Sequence, residues 1–427
     1  MERSEREKII ALVQREVVPA IGCTEPIAVA LAVARAKEIL NELPDKITVL
    51  LSANILKNAM GVGIPGTGMI GLPIAISLGA LIGKSEYKLE VLKDCNPDAV
   101  ERGKKIIDEK RISIQLKENI SEKLYVEAIC EKGEKRAVAV IAGGHTNFVY
   151  EALNDEVLLD KQQSSCGHEK EEMLLLDLRK VYEFATTAPL EEIDFILKAA
   201  ELNRKAAEIS FKGDYGHSLG KTMKGKYERQ FMGDCVFSHI LSYTTAACDA
   251  RMAGAMIPVM SNSGSGNQGV AATLPVVVYA EDMKCSREEL IRALMLSHLT
   301  AIYIKTKLGR LSALCGCVVA ATGSSCGITY LMGGGYEQMT YAVKNMIATL
   351  TGMVCDGAKP SCALKLTSGV STAVTSAMMA MENKCVSSVE GIIDEDVDQT
   401  ILNLTLVGND GMNETDKVVL KIMTSKK

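Results

Sequence analysis

The spacing of apolar residues changes character along this chain. Residues 3–16 carry a helical pattern that stops at Val17-Val18-Pro19, because a residue preceding proline is pushed out of the α region. Gly22-Cys23-Thr24-Glu25-Pro26 reads as a turn, with Pro26 suited to a first helical turn and residues 27–41 continuing a helical apolar pattern. Ile47–Leu56 predicts a buried strand and Tyr87–Leu92 a second one. Asn96-Pro97 supplies an N-cap and first-turn pair for a helix running to about 109. From Arg111 to Leu153 the period drops to two, which predicts strands over Ile112–Leu116, Leu124–Cys130, Ala137–Ala142 and Asn147–Ala152, with a hairpin turn at 131–134.

Beyond the polar stretch Asn154–Glu172 the pattern turns helical: 173–185, 190–211, 236–256, 287–307, 312–322, 337–352 and 366–382. Ser286-Arg-Glu-Glu289 has the form of a capping box. The expected fold class is therefore α+β: an N-terminal α/β domain with an antiparallel meander, then a mostly α-helical domain. The expected division is N-terminal helices carrying the Cys23 turn over 1–44, a small α/β domain over 45–155, a linker over 156–172 and a helical domain over 173–427.

Composition narrows the function more by exclusion. The chain has 427 residues, a net charge of −5 and no tryptophan, so it offers neither the basic surface nor the stacking platforms of a nucleic-acid binder. Its charged, amphipathic start lacks a signal-peptide core, and the expected location is the cytoplasm, where thirteen cysteines imply metal binding or catalysis before disulfides. Met60–Gly83 carries no charge, yet its glycines and prolines suit a loop entering a buried helix rather than a membrane span. The apolar, glycine-rich helices are compatible with a homodimer.

The candidate chemistry lies near the C-terminus. Cys315, Cys355 and Cys362 stand 40 and 7 residues apart, and between Ser312 and Leu364 the charged residues are Glu337, Lys344, Asp356 and Lys359. Thiols in so charge-poor a setting can hold an iron–sulfur cluster, and three ligands leave one iron open to a substrate. Cys317 and Cys326 lie close by and are alternatives to Cys315, and all of these are equally compatible with packing in a helical core. Cys23, ahead of a helix N-terminus, is a candidate base, nucleophile or ligand; the macrodipole favours its thiolate and Glu25 opposes it. The stretch Ser261–Gly269, containing Ser263, Gly264, Ser265, Asn267 and Gln268, is suited to wrap a carboxylate. A second glycine pattern, Gly61/Gly63/Gly66, lacks the βαβ context of a dinucleotide site. His145 and the Cys166-Gly-His168 stretch offer isolated imidazoles without metal-site spacing.

Taken together, Gly22-Cys-Thr-Glu-Pro26, Lys57-Asn58 with Val62-Gly-Ile-Pro-Gly-Thr67, Ser263–Gly269 and Cys355-Asp-Gly-Ala-Lys359 resemble the L-cysteine desulfidases, relatives of the α-chain domain of iron–sulfur L-serine dehydratases. The resemblance runs from Gly22 to about Met381. It implies an oxygen-sensitive [4Fe–4S] lyase without pyridoxal phosphate, with the cluster on Cys315, Cys355 and Cys362 and proton transfer at Cys23. It implies L-cysteine as substrate, its carboxylate received by the 263–269 stretch and Lys359 offsetting charge. The final gap of 7 fits the desulfidases better than the serine dehydratases. Two other readings stay open: an L-serine dehydratase, and a non-catalytic amino-acid or redox sensor.

Overall fold

The structure, a computed structural model, describes residues 1–118, 120, 122–161, 176–309 and 311–426. The chain opens with α1 (Arg3–Glu16), a short strand β1 (Pro19–Ile21) and α2 (Thr24–Leu40). Then follow β2 (Lys46–Leu51), α3 (Ala53–Ala59), α4 (Leu72–Leu81) and α5 (Pro97–Asp108). The strands β3 (Ile112–Leu116), β4 (Tyr125–Lys132), β5 (Lys135–Ala142), β6 (Phe148–Leu153) and β7 (Glu156–Asp160) complete a six-stranded sheet of order β3-β2-β4-β5-β6-β7. β2 and β3 are parallel and the other pairs antiparallel. One face of β4, carrying Val126, Ala128 and Cys130, is buried, and the Cys130 thiol lies 4.0 Å from the Val33 carbonyl of α2. Alanine-rich α2 thus lies between the sheet and apolar α4.

The pattern-based expectations differ from the structure at three places here. The strand expected over Ile47–Leu56 stops at Leu51, and the polar Asn54, Lys57 and Asn58 that follow belong to α3. Tyr87–Leu92 is not a strand. Ser85–Glu90 is a 3-10 turn, in which Leu89 is buried while Lys93 sits over the Tyr87 ring, and β3 and β7 already occupy the sheet edges. The polar stretch after 153 opens with β7; residues 162–175, with Cys166 and His168, lie outside the described residues. Asn96 caps α5 as expected, its side chain accepting from the Ala99 N–H at 3.0 Å.

The remainder is helical: α6 (Leu178–Thr187), α7 (Leu190–Ile193), α8 (Leu197–Lys212), α9 (Leu219–Thr222), α10 (Lys226–Phe231) and α11 (Val236–Met252). After a short β8 (Pro258–Met260) come α12 (Gly266–Asp282), α13 (Arg287–Leu308), α14 (Gly316–Leu331), α15 (Tyr336–Leu350), α16 (Cys362–Met381), α17 (Val397–Leu406) and α18 (Asn413–Thr424). α14 is buried from Cys317 to Thr329 and built largely of small residues, so its neighbours approach closely. A Cβ on Gly323 would collide with the Ser297 carbonyl of α13. Among the described residues no helix is long and apolar enough to cross a membrane.

Two features join the N-terminal segment to the helices. β1 pairs antiparallel with β8, and the pairing continues as Ser261 N–H to Val18 carbonyl (2.9 Å) and Ser263 N–H to Glu16 carbonyl (2.9 Å). Behind β8 a buried network fixes the entry to α12. Asn203 accepts from the Met260 N–H (2.8 Å) and donates to the Gly269 carbonyl (3.2 Å) and the Thr273 hydroxyl (3.0 Å). Burial pushes His298 down to about 3, so its imidazole is neutral; Nδ1 accepts from Asn262 at 3.1 Å and Nε2 faces Thr273 at 3.0 Å. Asn203→Ala strands several of these buried groups and is expected to lower stability by about 2–4 kcal/mol, read as a lower urea midpoint with unchanged slope.

Candidate active site

Four helices aim their N-termini at one cavity. Cys23 is the N-cap of α2, Ser265 of α12 and Cys315 of α14, while Cys362 is the first residue of α16. The cavity is lined by these four residues together with Glu25, Asn58, Arg251, Asn267, Gln268, Cys317, Cys355 and Lys365, among others. The aligned dipoles at these termini make this a region of positive potential, suited to thiolates and carboxylates.

Cys315 and Cys355, distant in sequence, are joined by a single antiparallel bridge, Leu314 to Val354. Cys315 N–H donates to the Met353 carbonyl (2.9 Å) and Cys355 N–H to the Ala313 carbonyl (2.7 Å). The following turn, 355–362, then delivers Cys362 to α16. Burial pushes the Cys315 thiol up to about 12, and Cys355 and Cys362 add to the shift. Cys362 is raised by burial and by Cys355. The neighbouring cysteines therefore oppose the ionisation of Cys315 and Cys362. Of the two alternatives to Cys315, Cys317 also lines the cavity, but its thiol donates to the Lys365 carbonyl at 3.2 Å. Cys326 lies farther along α14 and outside the cavity lining.

The β1–β8 pairing brings in Cys23. Thr24 donates to the Gly264 carbonyl at 2.7 Å, locking the turn to the start of α12. Cys23 donates to Glu25 at 2.9 Å, and Asn58 donates to the other Glu25 oxygen at 3.1 Å. Burial, with the Glu25 charge, pushes the Cys23 thiol well up, so the macrodipole does not prevail and the residue is a thiol. Glu25 is the ionised partner. Burial works against it, but the His145 charge, the Cys23 hydrogen bond and Arg251 hold its pKa below the ordinary value.

The glycine-rich 261–269 stretch is less of a loop than expected, because its second half is the first turn of α12. Ser265, Asn267 and Gln268 line the cavity. Ser263 and Gly264 do not: the Ser263 hydroxyl donates to Asn262 at 2.9 Å, and Gly264 serves Thr24. Lys359 is likewise absent from the lining. Its ammonium donates to the carbonyls of Asp356 (2.8 Å) and Gly357 (3.1 Å), closing the turn. The lysine on the wall is instead Lys365, tied to the Val354 carbonyl (2.7 Å) and to Asp356, whose carboxylate is held at about 2 by Lys359 and Lys365 despite burial.

Three buried polar atoms on the wall lack a partner: Asn58 Oδ1, Gln268 Oε1 and Arg251 Nε. Arg251 is buried and its Nη1 donates to Asn267 at 2.9 Å. Sequence reading missed Arg251 and Lys365, since nothing local separates them from the other 46 lysines and arginines. Two acceptors and a cationic donor without partners, on residues that line one cavity, are the group types that an α-amino acid's ammonium and carboxylate require.

A family model described as the serine dehydratase alpha chain matches residues 86–421. The chain belongs to this serine dehydratase-like family. Its relatives include a UPF0597 protein of Bacteroides fragilis, 75% identical over 426 residues and covering 100% of both chains. A UPF0597 protein of Bacteroides thetaiotaomicron is 72% identical over 426 residues, covering 100% of this chain and 99% of the other. One from Oleidesulfovibrio alaskensis is 46% identical over 429 residues, with both chains fully covered.

Proposed function

We propose that the cavity is the active site of an iron–sulfur lyase that eliminates hydrosulfide from L-cysteine, giving pyruvate and ammonia. The observation that carries this reading is the convergence of four helix N-termini and the three thiols on one cavity with unpartnered amino-acid-binding groups.

The donor set suits a [4Fe–4S] cluster on Cys315, Cys355 and Cys362. Among the described residues no three His, Cys, Asp or Glu side chains converge on a point fit for a single ion. A multi-iron cluster instead takes each thiolate on a different iron, so its ligands stand around a space. The thiols of Cys315 and Cys362, which burial and the neighbouring cysteines hold towards the protonated form, ionise when a strongly cationic guest displaces their protons. When bound, such a cluster supplies a Lewis-acidic iron without a protein thiolate, open to the substrate.

The remaining work falls to the chain. Arg251 and the α12 N-terminus receive the substrate carboxylate, while Asn58 Oδ1 and Gln268 Oε1 accept from the ammonium. Glu25 takes the Cys23 proton, and the thiolate so formed removes the Cα proton, so that the pair goes from a net charge of −1 to neutral with both groups protonated. The Cβ–S bond breaks with its electron pair on sulfur, and the released aminoacrylate hydrolyses in water to pyruvate and ammonia.

The family match favours one second reading, in which L-serine loses hydroxide from the same frame. Anaerobic kinetics on reconstituted protein separate the two. The expected kcat/KM for L-cysteine exceeds that for L-serine by at least about tenfold, a difference of 1.4 kcal/mol in transition-state binding. Serine as the faster substrate would replace the desulfidase reading. Binding of either amino acid without product would leave a sensor.

A further inference from the structure

The short helix α3 turns three polar side chains towards the cavity wall and the C-terminal helix α18. Asn58 reaches Glu25 on the cavity wall. Lys57, 1% exposed, puts its ammonium against the carboxylate of Asp416 in α18 and 3.3 Å from the carbonyl of Cys355. Asn54 donates to the same Asp416 carboxylate. The backbone of the cysteine turn fits against this helix closely: Gly357 has φ +91°, and a Cβ there would fall on the Lys57 carbonyl oxygen and within 3.5 Å of Met423 in α18. α18 otherwise packs lightly. Among the described residues none of its side chains is buried, and Val418 and Ile422 are more than half exposed. Half-buried Val419, Leu420 and Met423 give it a thin apolar contact, and its docking is completed by a polar clasp whose buried cation also touches the wall of the cavity.

We propose that Lys57 is a positioning residue that clasps the C-terminal helix α18, through Asp416, to the Cys355 turn, so that release of α18 loosens the thiol wall of the cavity. A buried ammonium deprived of its carboxylate draws in water or moves towards it, and the Cys355 carbonyl and the closely fitted Gly357 move with it. The inference rests on the active-site reading for its functional meaning, but its test needs neither turnover nor iron.

The test is the alkylation rate of each thiol by N-ethylmaleimide, followed by peptide mass spectrometry on cluster-free, full-length protein kept anaerobic. Asp416→Ala is expected to raise the Cys355 rate at least tenfold and to speed hydrogen exchange over 413–424, while exposed Cys235 reacts as before. A Cys355 rate within twofold of the parent would overturn the clasp. Lys57→Met, provided buried Cys130 stays protected, is expected to give the same rise, and the double variant no further one. Additive rises would show that the two residues act separately. If Lys57→Met fails to fold, Asp416→Ala alone decides.

Discussion

Cys355→Ala and Cys362→Ala are each expected to abolish stable iron binding and to lower L-cysteine turnover by roughly 10³-fold or more. Lewis-acid stabilisation of developing charge amounts to several kcal/mol, and each 1.4 kcal/mol is about tenfold in rate. The fold should survive either change. Both side chains line a cavity rather than fill the core, and the turn that carries them is held by backbone pairing at 314 and 354 and by Lys359. Iron content, far-ultraviolet circular dichroism and pyruvate release measured on the same samples separate loss of the cluster from loss of the fold. Cys130→Ala, whose thiol packs between the sheet and α2, serves as the control and should retain iron and activity. A Cys355→Ala protein that kept its iron and a tenth of its activity would remove this residue from the ligand set.

Cys23→Ala and Glu25→Gln should act differently, leaving iron in place while lowering kcat by about 10²–10⁴-fold, the usual contribution of a positioned proton acceptor. The two variants should be similarly impaired, because the thiol alone is held protonated by burial and the Glu25 carboxylate already accepts from Cys23 and Asn58. The pH dependence follows from the Glu25 shift. Its folded-state pKa is depressed, so the carboxylate and its interactions are fully present above the ordinary value of 4.5 and are lost as pH falls through the lower folded value. The acid limb of kcat/KM assigned to Glu25 is therefore expected below pH 4.5 and should disappear in Glu25→Gln. A Cys23→Ala enzyme with unaltered kcat would move the proton transfer to another group.

Much of the fold could be read from periodicity because local and global preferences agree. The period-two stretch after Arg111 became β3 to β6 with small shifts at the ends, and the capping box at Ser286 and the Asn96 cap both formed. Periodicity failed at Tyr87–Leu92, where alternation arises from a turn burying Leu89 beside a sheet with no vacant edge. It also left out α12, because glycines and serines at its start mask a helix that Ser265 caps.

The cysteines and the Gln268 turn were legible as a set of residue types, but their meeting was not. It depends on long-range pairings, β1 with β8 and Leu314 with Val354, that no local pattern encodes. Ser263, Gly264 and Lys359 have the composition of binding residues, yet their hydrogen bonds go to the backbone and side chains that shape the wall. Arg251 became visible as a candidate binding group only once the fold placed it in the lining of the same cavity as the thiols, with a buried, unpartnered Nε.

The central claim is that Cys315, Cys355 and Cys362 hold a catalytic cluster in this cavity. Its most direct test is anaerobic reconstitution with iron and sulfide, followed by bound iron per chain and by pyruvate and sulfide released from L-cysteine. The account predicts about four irons per chain, visible thiolate-to-iron absorbance, and equal yields of pyruvate and sulfide. A colourless protein that takes up no iron and releases no pyruvate under those conditions would contradict it and return the three cysteines to the role of packing residues.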